Sequence, residues 1–214
     1  MQKGDITKRC VLDAERRFYA DESWAKHDID ALDALFTACP KNTSPWQVLL
    51  KVTALNALYK TRIMNIYPVV ETILGVGCKL DALIARADPS AVDLMKMVKF
   101  AKREKVMNFF SFASKFCHFH RPDRYPIYDQ YVDAALRRLR KDKMLEFETA
   151  SLNREVYAQF KSVVDMFIER YADGCSYDAV DKYLWRFGKS LKNGNVYEAG
   201  MNVRVKKSRS NDGA

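Results

Sequence analysis

The sequence predicts an all-α protein, a compact bundle of about nine or ten short helices. Three observations lead there. Apolar residues recur at helical spacing along most of the chain, while strand-like alternation is scarce. Only eight glycines and six prolines interrupt 214 residues. Helix-start devices also recur: Ser44-Pro45 reads as an N-cap followed by a first-turn proline, and Asp88-Pro89 repeats the pattern. Behind Ser44, the residues Val48, Leu49, Val52, Leu55 and Leu58 fall on one broad face. Behind Asp88, the residues Ala91, Leu94, Met95 and Val98 do the same. The remaining helices are expected over 9–20, 28–38, 66–75, 79–87, 103–118, 128–141, 153–171 and 177–190. Glycines near 75–77 and the stretch 121–126 are expected as loops.

A hydrophobic content of 48% is enough to build one sizeable core, or two small lobes sharing a cleft. Residues 1–194 read as one helical domain and 195–214 as a basic, mobile tail. No run approaches the roughly 18 apolar residues of a membrane span. The first ten residues, MQKGDITKRC, lack the apolar core of a signal peptide, so the expected location is cytoplasmic. Five cysteines are an odd number without CxxC spacing, which disfavours disulfides, zinc ribbons and iron–sulfur clusters. Cys117, His118 and His120 are close in sequence but point in different directions on a helix, so no metal site is expected. A net charge of +9 favours a polyanionic partner, and nucleic acid before membrane.

The richest stretch is 109–132, FFSFASKFCHFHRPDRYPIYDQYV. An apolar helix bearing Lys115 leads through a proline-containing loop to Pro126-Ile127-Tyr128-Asp129, where a second helix opens. An aspartate there is an ordinary helix cap. It is also a carboxylate held near a lysine, and the helix N-terminus favours its ionised form.

At 109–132, and in two other segments, the chain resembles the helix-hairpin-helix (HhH-GPD) DNA glycosylase superfamily, in particular the bacterial 8-oxoguanine-DNA-glycosylase-like proteins. The supporting segments are LLKVTALNALYKTRIMNIYPVVETI at 49–73 and VDKYLWRFGKSL at 180–191. The three blocks follow the family's order. The resemblance implies two helical lobes around a DNA and base cleft. It makes Asp129, after its apolar-Pro-apolar lead, the catalytic acid. The family's hairpin carries a Gly-apolar-Gly turn and then a lysine, but this chain has no such turn. Lys105 matches the lysine by hairpin position and Lys115 by its place near the site. They lie 24 and 14 residues before Asp129. A monofunctional enzyme using Asp129 alone also fits.

The implied function is excision of a damaged or modified base, with 8-oxoguanine as the named class. Related proteins suggest a hypermodified phage base and antiviral defence instead, and a non-catalytic DNA-binding helical protein is a third reading. The flipped base is expected among Asn56, Tyr59, Tyr128 and Trp185, which supply an amide edge and aromatic faces. His120, Arg121, Arg137, Arg138 and Lys141 are the expected DNA contacts. The protein is expected to be a monomer acting on double-stranded DNA without a cofactor.

Overall fold

A computed structural model describes residues 6–21, 24–100 and 105–192, and within them the chain is all-α with one small hairpin. The expected basic tail at 195–214 lies outside the described residues. Nine α-helices are described: α1 (Lys8–Asp21), α2 (Ala25–Ala38), α3 (Pro45–Leu58), α4 (Tyr67–Ala85), α5 (Ser90–Met95), α6 (Phe110–His120), α7 (Gln130–Lys141), α8 (Tyr157–Tyr171) and α9 (Tyr177–Lys192). Strands β1 (Met97–Phe100) and β2 (Lys105–Asn108) pair antiparallel between α5 and α6. A short 3-10 turn covers Thr149–Leu152. Among the described residues, no helix is long and apolar enough to cross a membrane.

The core is organised around α6. All of its residues except Ser111 and His120 are buried. A helix covered on every side belongs at the centre of a bundle, and FSFASKFCHFH is apolar enough to sit there despite its lysine. Helices α2, α3 and α5 pack against it. A second layer forms where α9 lies between α1 and α7. There Gly188 meets the backbone of α7 directly, and a Cβ at that position would overlap the Tyr131 carbonyl.

The structure departs from the sequence expectations at two places. Residues 66–87 were expected as two helices separated by glycines, yet α4 runs unbroken. Gly77 serves a close approach there: a Cβ on it would overlap the Asn42 carbonyl of the loop before α3. The second departure is the hairpin. Helix α5 ends at Met95, and Val98, expected on its face, is the buried residue of β1. The helix expected from 103 onward begins only at Phe110, after an Asn108 side chain that accepts from the Phe110 amide. Lys105 is therefore a strand residue.

Candidate active site

The loop after α6 is pinned along its length. His118 Nδ1 lies 2.8 Å from the Tyr125 carbonyl, and the Tyr157 hydroxyl donates to the Pro126 carbonyl at 2.7 Å. The Tyr128 amide donates to Ser114 Oγ at 3.0 Å. That last bond fixes the register between the extended loop and α6. With Tyr128 tied to Ser114, the next residues on each side, Asp129 and Lys115, face one another.

Asp129 caps α7, and its Oδ1 accepts from the Tyr131 amide at 2.7 Å. The other oxygen, Oδ2, lies 3.9 Å from Lys115 Nζ. Lys115 Nζ also donates to Ser111 Oγ, one turn back, at 2.7 Å. The lysine side chain is 6% exposed and the aspartate 22%. Burial pushes the Lys115 ammonium below its usual range, against Asp129 and Asp181, which draw it upward. An amine beside a carboxylate, with burial favouring its neutral form, has the nucleophilic character that an exposed lysine lacks.

Helix α9 brings a second set of charges. Asp178, Asp181, Lys182 and Trp185 share one face by their three- and four-residue spacing. Lys182 Nζ donates to Asp178 at 2.8 Å and to Asp181 Oδ2 at 3.2 Å, with Phe18 beneath it at 5.0 Å. Tyr19 donates to Asp178 at 2.9 Å. Burial opposes the charge, but the electrostatic pull of Tyr59, Asp181 and Asp178 outweighs it and holds Lys182 well above its ordinary range. Asp181 is pushed up to about 6, by burial first, against the pull of Lys182 and with Asp178 and Asp129 adding to the rise. Its Oδ1 is buried without a hydrogen-bond partner among the described residues.

Asp181 and Lys182 line a cavity of about 450 Å³. Phe18, Trp24, Tyr59 and Trp185 supply aromatic walls, and Lys60 and Lys189 stand at its margin. Tyr59 links this cavity to the lysine–aspartate pair, since Lys115 Nζ lies 5.8 Å from its ring centre. Burial raises the Tyr59 phenol to about 12, so it stays protonated. Trp185 meets the ring of Tyr131 edge-on at 5.6 Å, next to Asp129.

Of the four residues expected to hold a base, Tyr59 and Trp185 line this cavity. The other two do not. Tyr128 is buried between Phe110 and Phe160, at 5.0 and 5.2 Å, with its hydroxyl on Asp133. Asn56 turns its amide toward the following turn. Its Oδ1 accepts from Thr61 Oγ1 and the Ile63 amide, and its Nδ2 donates to the Ile63 carbonyl.

Of the two lysines, only Lys115 is brought to Asp129. Lys105 lies exposed on β2 and lines a different cavity. His120 does not face solvent phosphate. It packs edge-on to Phe36 and Phe116, with Nε2 at 3.2 Å from Asn42 Nδ2 and 3.4 Å from Lys51 Nζ. Burial, then Lys51, pushes its imidazole down to about 3. Arg121 is tied to Asp123 and to the Ala85 carbonyl. Arg137 pairs with Asp133 and Arg138 with Asp142, each at 2.8 Å. These two and the exposed Lys141 sit 8 to 12 residues beyond Asp129. At 1.5 Å per residue that is roughly 12–18 Å along α7, so they stand at the far end from Asp129.

Asp181, Lys182, Phe18 and Trp24 were not among the expected site residues. The signal for the first two lay within the quoted block VDKYLWRFGKSL. A carboxylate and a lysine within the run 179–184, every residue of which is buried, are charges in the covered part of α9. No group of three or more His, Cys, Asp or Glu among the described residues is arranged to hold a metal ion.

Fold and site together define a helical bundle with a buried lysine–carboxylate pair beside an aromatic-walled cavity. The sequence pattern of the HI_0787_N family, described as an N-terminal domain, matches residues 10–124. An uncharacterized protein of Haemophilus influenzae is 34% identical over 145 residues, covering 67% of this chain and 67% of that protein. The chain belongs to this family. The family match takes in Tyr59 and Lys115 and stops short of Asp129 and α9. No solved structure matches.

Proposed function

We propose that the protein is a DNA glycosylase that draws a modified base out of the stack and cleaves its bond to the sugar. The observation that carries this reading is the 3.9 Å approach of Lys115 Nζ to Asp129 Oδ2, next to an aromatic cavity. Flipping a base costs a few kcal/mol, recovered by stacking and edge hydrogen bonds. Trp185, Tyr59 and Phe18 offer the faces. The unpartnered Asp181 Oδ1, closed to solvent in the free protein, becomes an acceptor for a base N–H once the cavity side chains shift to admit one, which suits N–H donors such as those of guanine and its oxidised forms. A volume of about 450 Å³ also leaves room for a base carrying a bulky substituent, as in phage DNA.

In this mechanism the neutral Lys115 amine attacks C1′ of the sugar as the bond from C1′ to the base nitrogen breaks. Asp129 stabilises the positive charge that develops on the sugar and takes the proton released by the attacking amine. Asp129 passes that proton to the nitrogen of the departing base, and the ring then opens as the remaining amine proton moves to O4′, leaving a Schiff base on Lys115. If water replaces the lysine as nucleophile, Asp129 activates it and no covalent species forms.

A panel of duplexes with different modified bases, together with phage genomic DNA, tests the reading. Released base is measured by mass spectrometry and the covalent adduct by borohydride trapping. Release of a base from at least one substrate is the expected result. Folded protein that binds these DNAs and releases nothing from any of them would leave a non-catalytic DNA-binding protein.

A further inference from the structure

A second cavity of about 550 Å³ lies on the other side of the loop joining α3 to α4. The three side-chain bonds from Asn56 shape this loop, and two of its residues, Lys60 and Arg62, adopt left-handed backbone angles with φ of 49° and 59°. Lys60 consequently lines the first cavity and Arg62 the second. The loop contributes lining residues to both cavities and so stands as a partition between them. Beyond it Met64 stands 99% exposed and Tyr67 64% exposed. Apolar side chains this open on a rigid, hydrogen-bonded loop are not explained by packing.

The opposite wall is the β-hairpin, contributing Lys99 and Lys105. Three cations thus face the cavity against one carboxylate, Glu71. Elsewhere four arginines have a carboxylate neighbour: Arg86 has Asp88, Arg121 has Asp123, Arg137 has Asp133 and Arg138 has Asp142. Arg62, Lys99 and Lys105 have no ion-pair partner among the described residues. Unpaired cations on both rims with an exposed aromatic face between them are the two parts used to hold an unpaired strand, whose phosphates track the charges while its bases stack. A closed duplex offers only the first interaction.

We propose that this groove is a binding site for single-stranded nucleic acid, in which Arg62, Lys99 and Lys105 meet the phosphates and a base stacks on Tyr67. The site stands independently of base excision. The partition loop adds a connection that does rest on the glycosylase reading: a strand crossing residues 60–65 delivers one nucleotide to the first cavity and keeps a neighbour in the second.

Fluorescence anisotropy with a labelled, unmodified single-stranded oligonucleotide tests the site on the full chain. Wild-type protein is expected to bind, with Tyr67→Ala weakening binding about tenfold. The Lys99→Glu/Lys105→Glu protein should lower the log–log salt slope by about 1.4, at about 0.7 per single-strand phosphate contact. All three positions are exposed, so folding should survive, and a melting curve checks it. Absence of binding at low salt, or folded variants that bind as the wild type does, overturns the proposal. So does equal competition by polyglutamate, which would mean capture by charge alone. Base release from duplexes is scored separately. Strand binding without base release removes the glycosylase reading and keeps this site, whereas base release without strand binding does the reverse.

Discussion

Two buried lysines sit on contacting helices, Lys51 on α3 and Lys115 on α6, and their surroundings differ in a way that separates structure from chemistry. Burial lowers both ammonium groups, Lys51 to about 8. Lys51 Nζ is enclosed by the Cys39 and Lys41 carbonyls at 2.9 Å and Asn42 Oδ1 at 2.6 Å, with Phe36 and Phe116 each at 5.4 Å. Its three protons are matched by three acceptors, so it is a tie that closes the loop before α3. Lys115 has one close acceptor, Ser111, and a carboxylate at 3.9 Å. Its bonding is incomplete, and it lies beside a cavity. Burial alone does not distinguish the two lysines; the difference is that Lys51 has its bonding capacity filled and Lys115 does not.

The most direct way to break this comparison is at Asp129. Asp129→Asn keeps a capping oxygen for the Tyr131 amide and removes the charge. Base release should fall by about 10²–10⁴, with duplex binding retained in the same assay. Undiminished release by the folded variant would reduce Asp129 to a cap. Next, Lys115→Met should eliminate any borohydride-trapped adduct, while Lys105→Ala, which removes a proposed phosphate contact but no nucleophile, should still form the adduct at saturating DNA. The reverse pattern would return the nucleophile to the hairpin.

Lys51→Met should have the opposite signature. It strands two backbone carbonyls and an amide oxygen, costing about 3 kcal/mol of stability, and leaves release per folded molecule unchanged. Urea unfolding and a single-turnover assay on the same preparation read both quantities. Equal activity losses at Lys51 and Lys115 would dissolve the distinction. Within the site, Asp181→Asn should weaken base recognition about tenfold, visible as a raised KM. Because Asp181 is held near 6, the wild type should lose the same discrimination as pH falls below 6, while the variant should show no such pH dependence.

A further effect, on stability alone, lies in the pH dependence near Lys51. Burial holds His120 down at about 3 and His118 at about 4. An unfolded histidine takes its proton near 6.5. From there downward the unfolded state binds more protons, so stability falls with pH by about 1.4 kcal/mol per unit for each histidine. Urea midpoints at pH 5 and 7 check this, and His120→Gln should remove about half of the slope.

How much of this was legible in the sequence follows from which interactions are local. Helix periodicity, Pro45 at a first turn and the Asp129 cap are properties of a few neighbouring residues, and each was readable. Lys115 stood out as a charge within FASKFC. The unbroken α4 was not readable, because Gly77 answers to Asn42, 35 residues away. The hairpin was hidden because MVKF and KVMN are too short to show alternation. Asn56 and His120 were assigned to recognition because their chemistry suits it. Their partners, Ile63 in one case and Asn42 in the other, exist only after folding. Asp181 and Lys182 were overlooked for a related reason: their meaning comes from a cavity that α9 builds together with α1 and the residues after α3.

The absence of a side chain at Gly188 has a mechanical consequence. With nothing between its backbone and that of Tyr131, α7 and α9 lack the clearance to slide independently. Asp129 caps one of these helices, and Asp181 and Trp185 ride on the other, so the Asp129 carboxylate and the cavity-lining face of α9 form a single jaw. In the proposed reaction, any closing stroke over a nucleotide must come from the opposing parts, Phe18 and Trp24 on one side and the loop at 60–65 on the other. Gly188→Ala would wedge the jaw itself, altering where chemistry occurs relative to what is recognised without touching a residue that performs either task.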